Sequence, residues 1–391
     1  MHRREFTKRA ALLAAGSLAR PNARPIRAYI GSYSSPQGPE GSKGRGSGIY
    51  LFEMDPQSGT LTQRALFKDD SNPSWIALTQ SRTHLYAANE TGAGSVSAFS
   101  IDSGSGELTL LNRASSGGAG PAHLSLHPSG KYLLVANYAG GTVAVLPIHE
   151  DGHVGEPSDI HKDEGNVGPL KAASAPPGSF AISGHDKPHA HMIEADPMGH
   201  FVLAADLALD EILIYKFDAA SGSMTLNNPP SFKLPPGDGP RHFAFHTNRH
   251  WFYTLQEESS TLVVCDYDSA RGVLKEKQTI STLPKDFAGT NFTSEIVLSA
   301  DGRFVYVANR LHNSIAWFSV GREGALTWMG EEWTRGDYPR SFTIDPSGSF
   351  VYVCNQRADA IVCFKRDKKT GMLEFTGQYT PVGTPAIIRF V

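Results

Sequence analysis

The chain has 391 residues, a formal net charge of −3, and 39 glycines and 25 prolines that form no low-complexity runs. This describes a turn-rich globular protein able to bury a large core, and it excludes collagen-like and disordered chains. The charge balance gives no general case for nucleic acid or an anionic membrane as partner.

The first element is an N-terminal signal. "RREFTK", Arg3 to Lys8, precedes the small-residue apolar stretch "AALLAAGSLA", which is too short to span a membrane. This pattern resembles a twin-arginine export signal, with Ser17 and Ala19 at a small-residue cleavage site. Residues 1–24 are therefore expected to direct export to the periplasm, with a cytoplasmic location as the alternative, and residues 25–391 to form the working domain. No other segment approaches the ~20 apolar residues of a spanning helix.

Downstream, a short polar run ending in glycine recurs seven times, from "DPQSGTLTQ" and "DSGSGELTL" to "DKKTGMLEF". The glycines are Gly59, Gly106, Gly152, Gly222, Gly272, Gly324 and Gly371, spaced 46 to 52 residues apart with one interval of 70. Each marks a hairpin needing positive φ, and the period suits a β-propeller blade. A second signal, "HPSG", "DPMG", "SADG" and "DPSG", predicts a tight turn between a first and a second strand. The second strands then read "YLLVAN", "FVLAAD", "FVYVAN" and "FVYVCN". The third strands read "TVAVLPI", "EILIYKF", "TLVVCDY" and "SIAWFSV". These runs are apolar and β-branched, as expected where sheets pack on both faces, and no sustained helical period occurs.

The fold class is thus all-β. The N-terminus supplies three strands, "RAYIGSY", "GIYLFEM" and "LTQRALF", and the C-terminus one unpaired first strand, "TPAIIRFV". Joining them gives a seven-bladed β-propeller whose last blade closes the ring without a free sheet edge. A monomer is expected. Cys265, Cys354 and Cys363 cannot all pair within one chain and lack metal-type spacing, so they read as buried free thiols.

In an antiparallel blade the start of the first strand and the end of the second lie at the same end. One mouth of the channel therefore collects His191, Arg241, Glu295 and Arg340 from first strands, with Glu90, Asp206, Glu257, Arg310 and Arg357 from second strands. The long interval, residues 156–186, opens on the same mouth between a fourth strand and the next blade, and is expected to form a flap. His123 in "GPAHLSLHP" and His242 in "GPRHFAFH" occupy equivalent slots, so both are expected to tie blade turns rather than catalyse.

"HAHMIEADP" leaves an alternative open at this point. His189 and His191 would share one side of a strand and could hold a metal, with His185, His200 or Asp206 as third ligand, although spacing places none of the three. The preferred reading has no metal and no cofactor.

Together, "PHAHMIEADPMGHFVLAADL", "GPRHFAFH", "EIVLSADGRFVYVANR" and "PRSFTIDPSGSFVYVCNQ" resemble the seven-bladed propeller lactonase family. That family includes bacterial 6-phosphogluconolactonases and is similar in fold to carboxy-cis,cis-muconate lactonizing enzyme. The resemblance spans nearly the whole mature chain and implies a small-molecule lactone as substrate. It implies His191, Arg241, Glu257 and Arg310 as catalytic residues, while His189, Glu295, Arg340 and Asp206 are expected to bind substrate. The chain departs from the family at Gln256, where Asn is usual, and at "HTNR", where "HPNG" is usual. Lactone hydrolysis needs a base for water and positive charge for an oxyanion, which suits His191 and the arginines. No G-x-S-x-G elbow suggests an acyl-enzyme. A muconate-lactonizing reaction and a non-enzymatic binding propeller are the alternative functions.

Overall fold

Apolar runs that end in Asn or Asp make the second strand of the repeat. The four expected segments are β9 (Tyr132–Asn137), β13 (Phe201–Asp206), β21 (Phe304–Asn309) and β25 (Phe350–Asn355), each buried along its whole length. Each sheet lies between two neighbouring sheets, so continuous apolar sequence replaces the in-out alternation of a one-sided sheet. Burying each large apolar side chain contributes roughly 1.5–3 kcal/mol over leaving it exposed. The structure is a computed structural model describing residues 26–36, 43–179 and 184–391; the expected export signal, residues 1–24, lies outside the described residues.

The strands form seven antiparallel sheets of four. The inner strands are β4 (Pro73–Leu78), β8 (Pro121–Leu126), β12 (Ala190–Ala195), β16 (Pro240–Phe245), β20 (Thr293–Leu298), β24 (Pro339–Ile344) and β28 (Pro385–Phe390). They touch one another in succession around a central axis, and β28 returns to β4. Blades are numbered one to seven from β4. The seventh joins both termini: β28 pairs with β1 (Ile26–Ser32) from Ala28↔Phe390 through Ile30↔Ile388. The expected closure is therefore present, and Ala28, Ile30, Tyr352, Ile361 and Ile388 share one core across it. Outer strands are only half covered; β19 (Val273–Ser281) exposes Lys275, Glu276 and Lys277, charges that protect an edge from further pairing.

The repeat glycines do more than turn the chain. Tyr352 Oη donates to the carbonyl of Gly59 at 2.7 Å, Tyr306 to Gly371 at 2.8 Å, Tyr29 to Gly106 at 2.6 Å, and Tyr253 to Gly324 at 3.1 Å. Each bond fastens a second-strand tyrosine to the hairpin of the next blade. Gly59 has φ 74°, and a Cβ there would stand 2.7 Å from the Phe350 ring, so backbone freedom and close approach both demand glycine.

One boundary differs from expectation. Asp159–Lys162 belongs to no loop. It is β11, the fourth strand of blade two, paired from Thr142↔Lys162 to Val145↔Asp159. The polar run around Gly152 hid it, because Val154 makes only an isolated bridge to Ile148 and the true fourth strand starts later. The long connection thus begins at Asp163. It is tied to the loops of blades three, four and five through Gly168 N–H to Ala208 O (2.7 Å), Ser174 Oγ to Asp238 Oδ1 (2.7 Å) and Ser179 Oγ to Gly289 O (2.8 Å). No helix among the described residues is long and apolar enough to cross a membrane. The three cysteines are buried and unbridged.

Candidate active site

A repeated β-bulge builds the upper mouth. Near the start of the inner strands the register slips, between Pro73 and Trp75, Pro121 and His123, Ala190 and Met192, Pro240 and His242, and Pro339 and Ser341. The extra residue in each case is Ser74, Ala122, His191, Arg241 or Arg340. A bulge leaves its extra residue unpaired and re-aims its side chain, here to the channel mouth. The second contribution comes from the residue just after each second strand: Tyr33, Glu90, Tyr138, Glu257 and Arg310.

Two expected substrate contacts fall one residue out of these slots, and a one-residue slip sends a side chain to another face. In blade five the register runs Thr293↔Asn309 to Ile296↔Val307, so Ser294 takes the bulge slot. Glu295 lies one layer deeper beside His242, whose Nδ1 is 3.0 Å from its Oε1. In blade three Leu207 takes the post-strand slot. Asp206 is the last residue of β13 and fully buried, accepting the amides of Ala208 (3.1 Å) and Leu209 (3.0 Å). Asp163 is its acidic neighbour, and burial together with Asp206 pushes the Asp163 carboxyl up to about 9. This pair anchors the base of the long loop. Arg357 likewise stands one place past its slot, which Gln356 fills.

The centre of the mouth is an Arg–Glu–Arg cluster. Glu257 Oε2 lies 3.0 Å from Arg241 Nε and 2.6 Å from Arg310 Nη2. Arg310 also donates to Thr293 O at 3.2 Å and to Tyr338 Oη at 3.3 Å, while Arg241 donates to Ser294 O. All three charged residues are nearly excluded from solvent. Burial first, then Arg310, draws Arg241 down to about 10, so it stays protonated at neutral pH. A second acidic point, Glu90, accepts from Tyr33 Oη (2.8 Å) and Ser74 Oγ (2.7 Å), with Arg340 Nη2 3.6 Å away over the Tyr33 ring.

His191 shares this wall. It is buried, with its ring 5.0 Å from that of His242 and 5.4 Å from Tyr138, and its Nδ1 has no hydrogen-bond partner among the described residues. Burial, reinforced by Arg241, His242, Arg340 and Arg310, holds its pKa well below the ordinary histidine value, so the ring is neutral. His189 is different. Its Nδ1 lies 2.9 Å from Tyr138 O and its Nε2 2.7 Å from Asp186 Oδ1, while its ring stacks on Tyr138. Both nitrogens are engaged in fastening the loop, and the bulge at His191 breaks the alternation that would have put the two histidines on one side. No cluster of three metal-ligating side chains occurs among the described residues.

The scaffold histidines lie one layer below. His123 Nδ1 accepts the Ile193 amide of the next blade at 3.4 Å, and its ring meets Trp75 at 4.5 Å. Gln256, the departure before Glu257, turns back to Thr254 O at 2.8 Å, whereas Asn137, Asn309 and Asn355 reach across to Ser116, Thr282 and Thr334. Glu257 keeps its place through its own amide, bonded to Gly239 O at 2.7 Å. Arg249 in "HTNR" adopts φ 64°, so that turn also closes like its glycine-bearing sisters.

Tyr33 and Tyr338 were not singled out from sequence. The repeat register would have found Tyr33, which follows the second strand of blade seven just as Glu90 follows that of blade one. Tyr338 sits just before β24 and has no equivalent signal.

Residues 27–390 match the family described as Lactonase, 7-bladed beta-propeller. The chain belongs to this family. Among similar propeller lactonases, a 6-phosphogluconolactonase of Bacillus subtilis is 34% identical over 365 residues, covering 93% of this chain and 97% of that protein. A 6-phosphogluconolactonase of Formosa agariphila is 32% identical over 88% of this chain and 94% of its own length. Among solved structures, a periplasmic gluconolactonase of Pseudomonas aeruginosa aligns with a TM-score of 0.84 and 27% identity, covering 94% of this chain and 99% of that one.

Proposed function

We propose that the upper mouth hydrolyses the ring ester of a sugar lactone, with His191 as general base. The observation that carries this reading is a neutral buried imidazole set on the same bulge ring as a cluster of arginines. Water attacks the lactone carbonyl carbon as His191 takes its proton. The carbonyl oxygen becomes an oxyanion opposite Arg241 or Arg310, whose fixed charges favour it over the neutral carbonyl. The tetrahedral intermediate then expels the ring oxygen, which takes the proton back from the imidazolium, leaving a hydroxy acid. The names of the relatives support the same reaction type. Purified protein without added cofactor is expected to open δ- and γ-lactones of sugar acids faster than buffer, measured by proton release at constant pH. Silence toward lactones with cyclisation of muconate-type acids would turn the reading to the lyase class.

The substrate proposed is unphosphorylated and met outside the cytoplasm, because "RREFTK" has the form of an export signal and phosphorylated sugar lactones arise within the cell. The periplasmic gluconolactonase neighbour is consistent with that location. Fusing residues 1–24 to a folded reporter is expected to carry it across the membrane by the twin-arginine route. A reporter retained in the cytoplasm would shift the substrate toward a phosphorylated lactone held by Arg241 and Arg310.

A further inference from the structure

The channel has a second mouth. Below the layer of Trp75, His123, His242 and Glu295 lies a cavity of about 490 Å³, open toward the turns around Pro128, Pro197 and Thr247 at the end opposite the bulges. That volume falls within the ~300–1,000 Å³ of small-molecule sites. Two residues further along the inner strands, Glu194 of β12 and Arg389 of β28 take equivalent positions and line this cavity. Arg389 lays its guanidinium over Trp75, 4.8 Å from the ring centroid, and forms no ion pair with a carboxylate among the described residues. Glu295 is 5% exposed, gives one oxygen to His242, and has no hydrogen-bond partner for Oε2 among the described residues.

We propose that this lower mouth binds a small polyhydroxy carboxylate, separately from the upper mouth and independently of lactone hydrolysis. The planar guanidinium of Arg389, backed by Trp75, matches a carboxylate in bidentate fashion. Glu194 and Glu295 supply carboxyl groups for hydroxyls further along the ligand. Burial pushes both up to about 7, so near neutral pH each can accept from a hydroxyl or donate to one. An ammonium-bearing ligand suits the site less well, because Arg389 stands among the same groups. The two mouths are separated by one layer, in which His242 Nε2 lies 3.4 Å from Arg241 Nη1 and His242 Nδ1 lies 3.0 Å from Glu295.

Gluconate titrated into the full chain tests this through tryptophan fluorescence, since Trp75 lines the cavity. A saturable change is expected in wild type, and its loss is expected in Trp75→Phe. Arg389→Gln should raise the half-saturating concentration roughly 10- to 100-fold, the worth of a charge-assisted hydrogen bond. Glu194→Ala, at a half-buried position where folding is less at risk, should raise it by roughly tenfold. Arg340→Gln, which takes a guanidinium away from the upper mouth, should leave it unchanged, which separates this site from product binding above. No fluorescence change in wild type, or the same half-saturation in wild type and Glu194→Ala, would overturn the proposal, as would equal titrations with glycine and gluconate.

Discussion

His191→Ala is expected to lower kcat for lactone opening by ~10² to 10⁴, the contribution typical of a positioned acid or base. KM should change little, because the anion-holding arginines remain. The pH profile gives the more specific reading. A general base works in its unprotonated form, so activity is lost as pH falls through the pKa of that base. Burial and four surrounding cationic or potentially cationic side chains push His191 below the usual value of 6.5. The acid limb of kcat/KM for wild type should therefore lie below pH 6.5, and His191→Ala should lose that limb as well as the rate. His189→Ala provides the contrast. Its ring ties Asp186 to the Tyr138 carbonyl, so its loss should loosen the loop and raise KM while leaving the acid limb in place. Wild-type turnover in a folded His191→Ala protein would remove the histidine from the chemistry.

The sequence was most legible where the physics repeats. Second and third strands such as "FVYVAN" and "GIYLFEM" coincide with β21 and β2 (Gly48–Met54), because both faces of each sheet are covered and any polar interruption would be costly. Ring closure followed from counting strands. The mouth was legible only to within one residue. Alternation places a side chain by parity, and a bulge adds one residue and changes the parity. His191, Arg241 and Arg340, placed at the mouth as first-strand starts, nevertheless lie there because the bulge residue itself is the one re-aimed. Glu295 and Asp206 were misplaced because each stands next to its slot. β11 was missed because "DIHK" is short and half polar, as an outermost strand facing solvent can be. Tyr138, which stacks on His189 and stands edge-on to His191, carries no sequence signal apart from its repeat position.

Glu257→Ala is expected to destabilise the fold by ~3–5 kcal/mol, because it leaves two buried guanidinium groups without the carboxylate they share. Denaturant unfolding at pH 7 measures this. Glu257→Gln keeps the shape and an acceptor oxygen but removes the charge. It should cost less stability, yet Arg241 and Arg310 would then repel each other and move from the oxyanion position, lowering kcat by ~10² to 10³. The same electrostatics predict a dissociation of stability from function. Replacing all three groups by apolar side chains of similar size, Arg241→Met, Glu257→Leu and Arg310→Met, removes the desolvation cost together with the attraction. Buried ion triads replaced in this way often hold or gain stability. The triple variant should therefore unfold at a denaturant concentration closer to wild type than Glu257→Ala does, and should open no lactone. If it instead unfolds as readily as Glu257→Ala, the cluster serves to hold blades four and five together, and the case for its arginines as oxyanion donors weakens. If it keeps turnover, the arginines are not part of the reaction. The expected pattern, a stable but inactive propeller, would mean that the buried charges serve chemistry at a cost the rest of the ring offsets through its seven interlocked sheets.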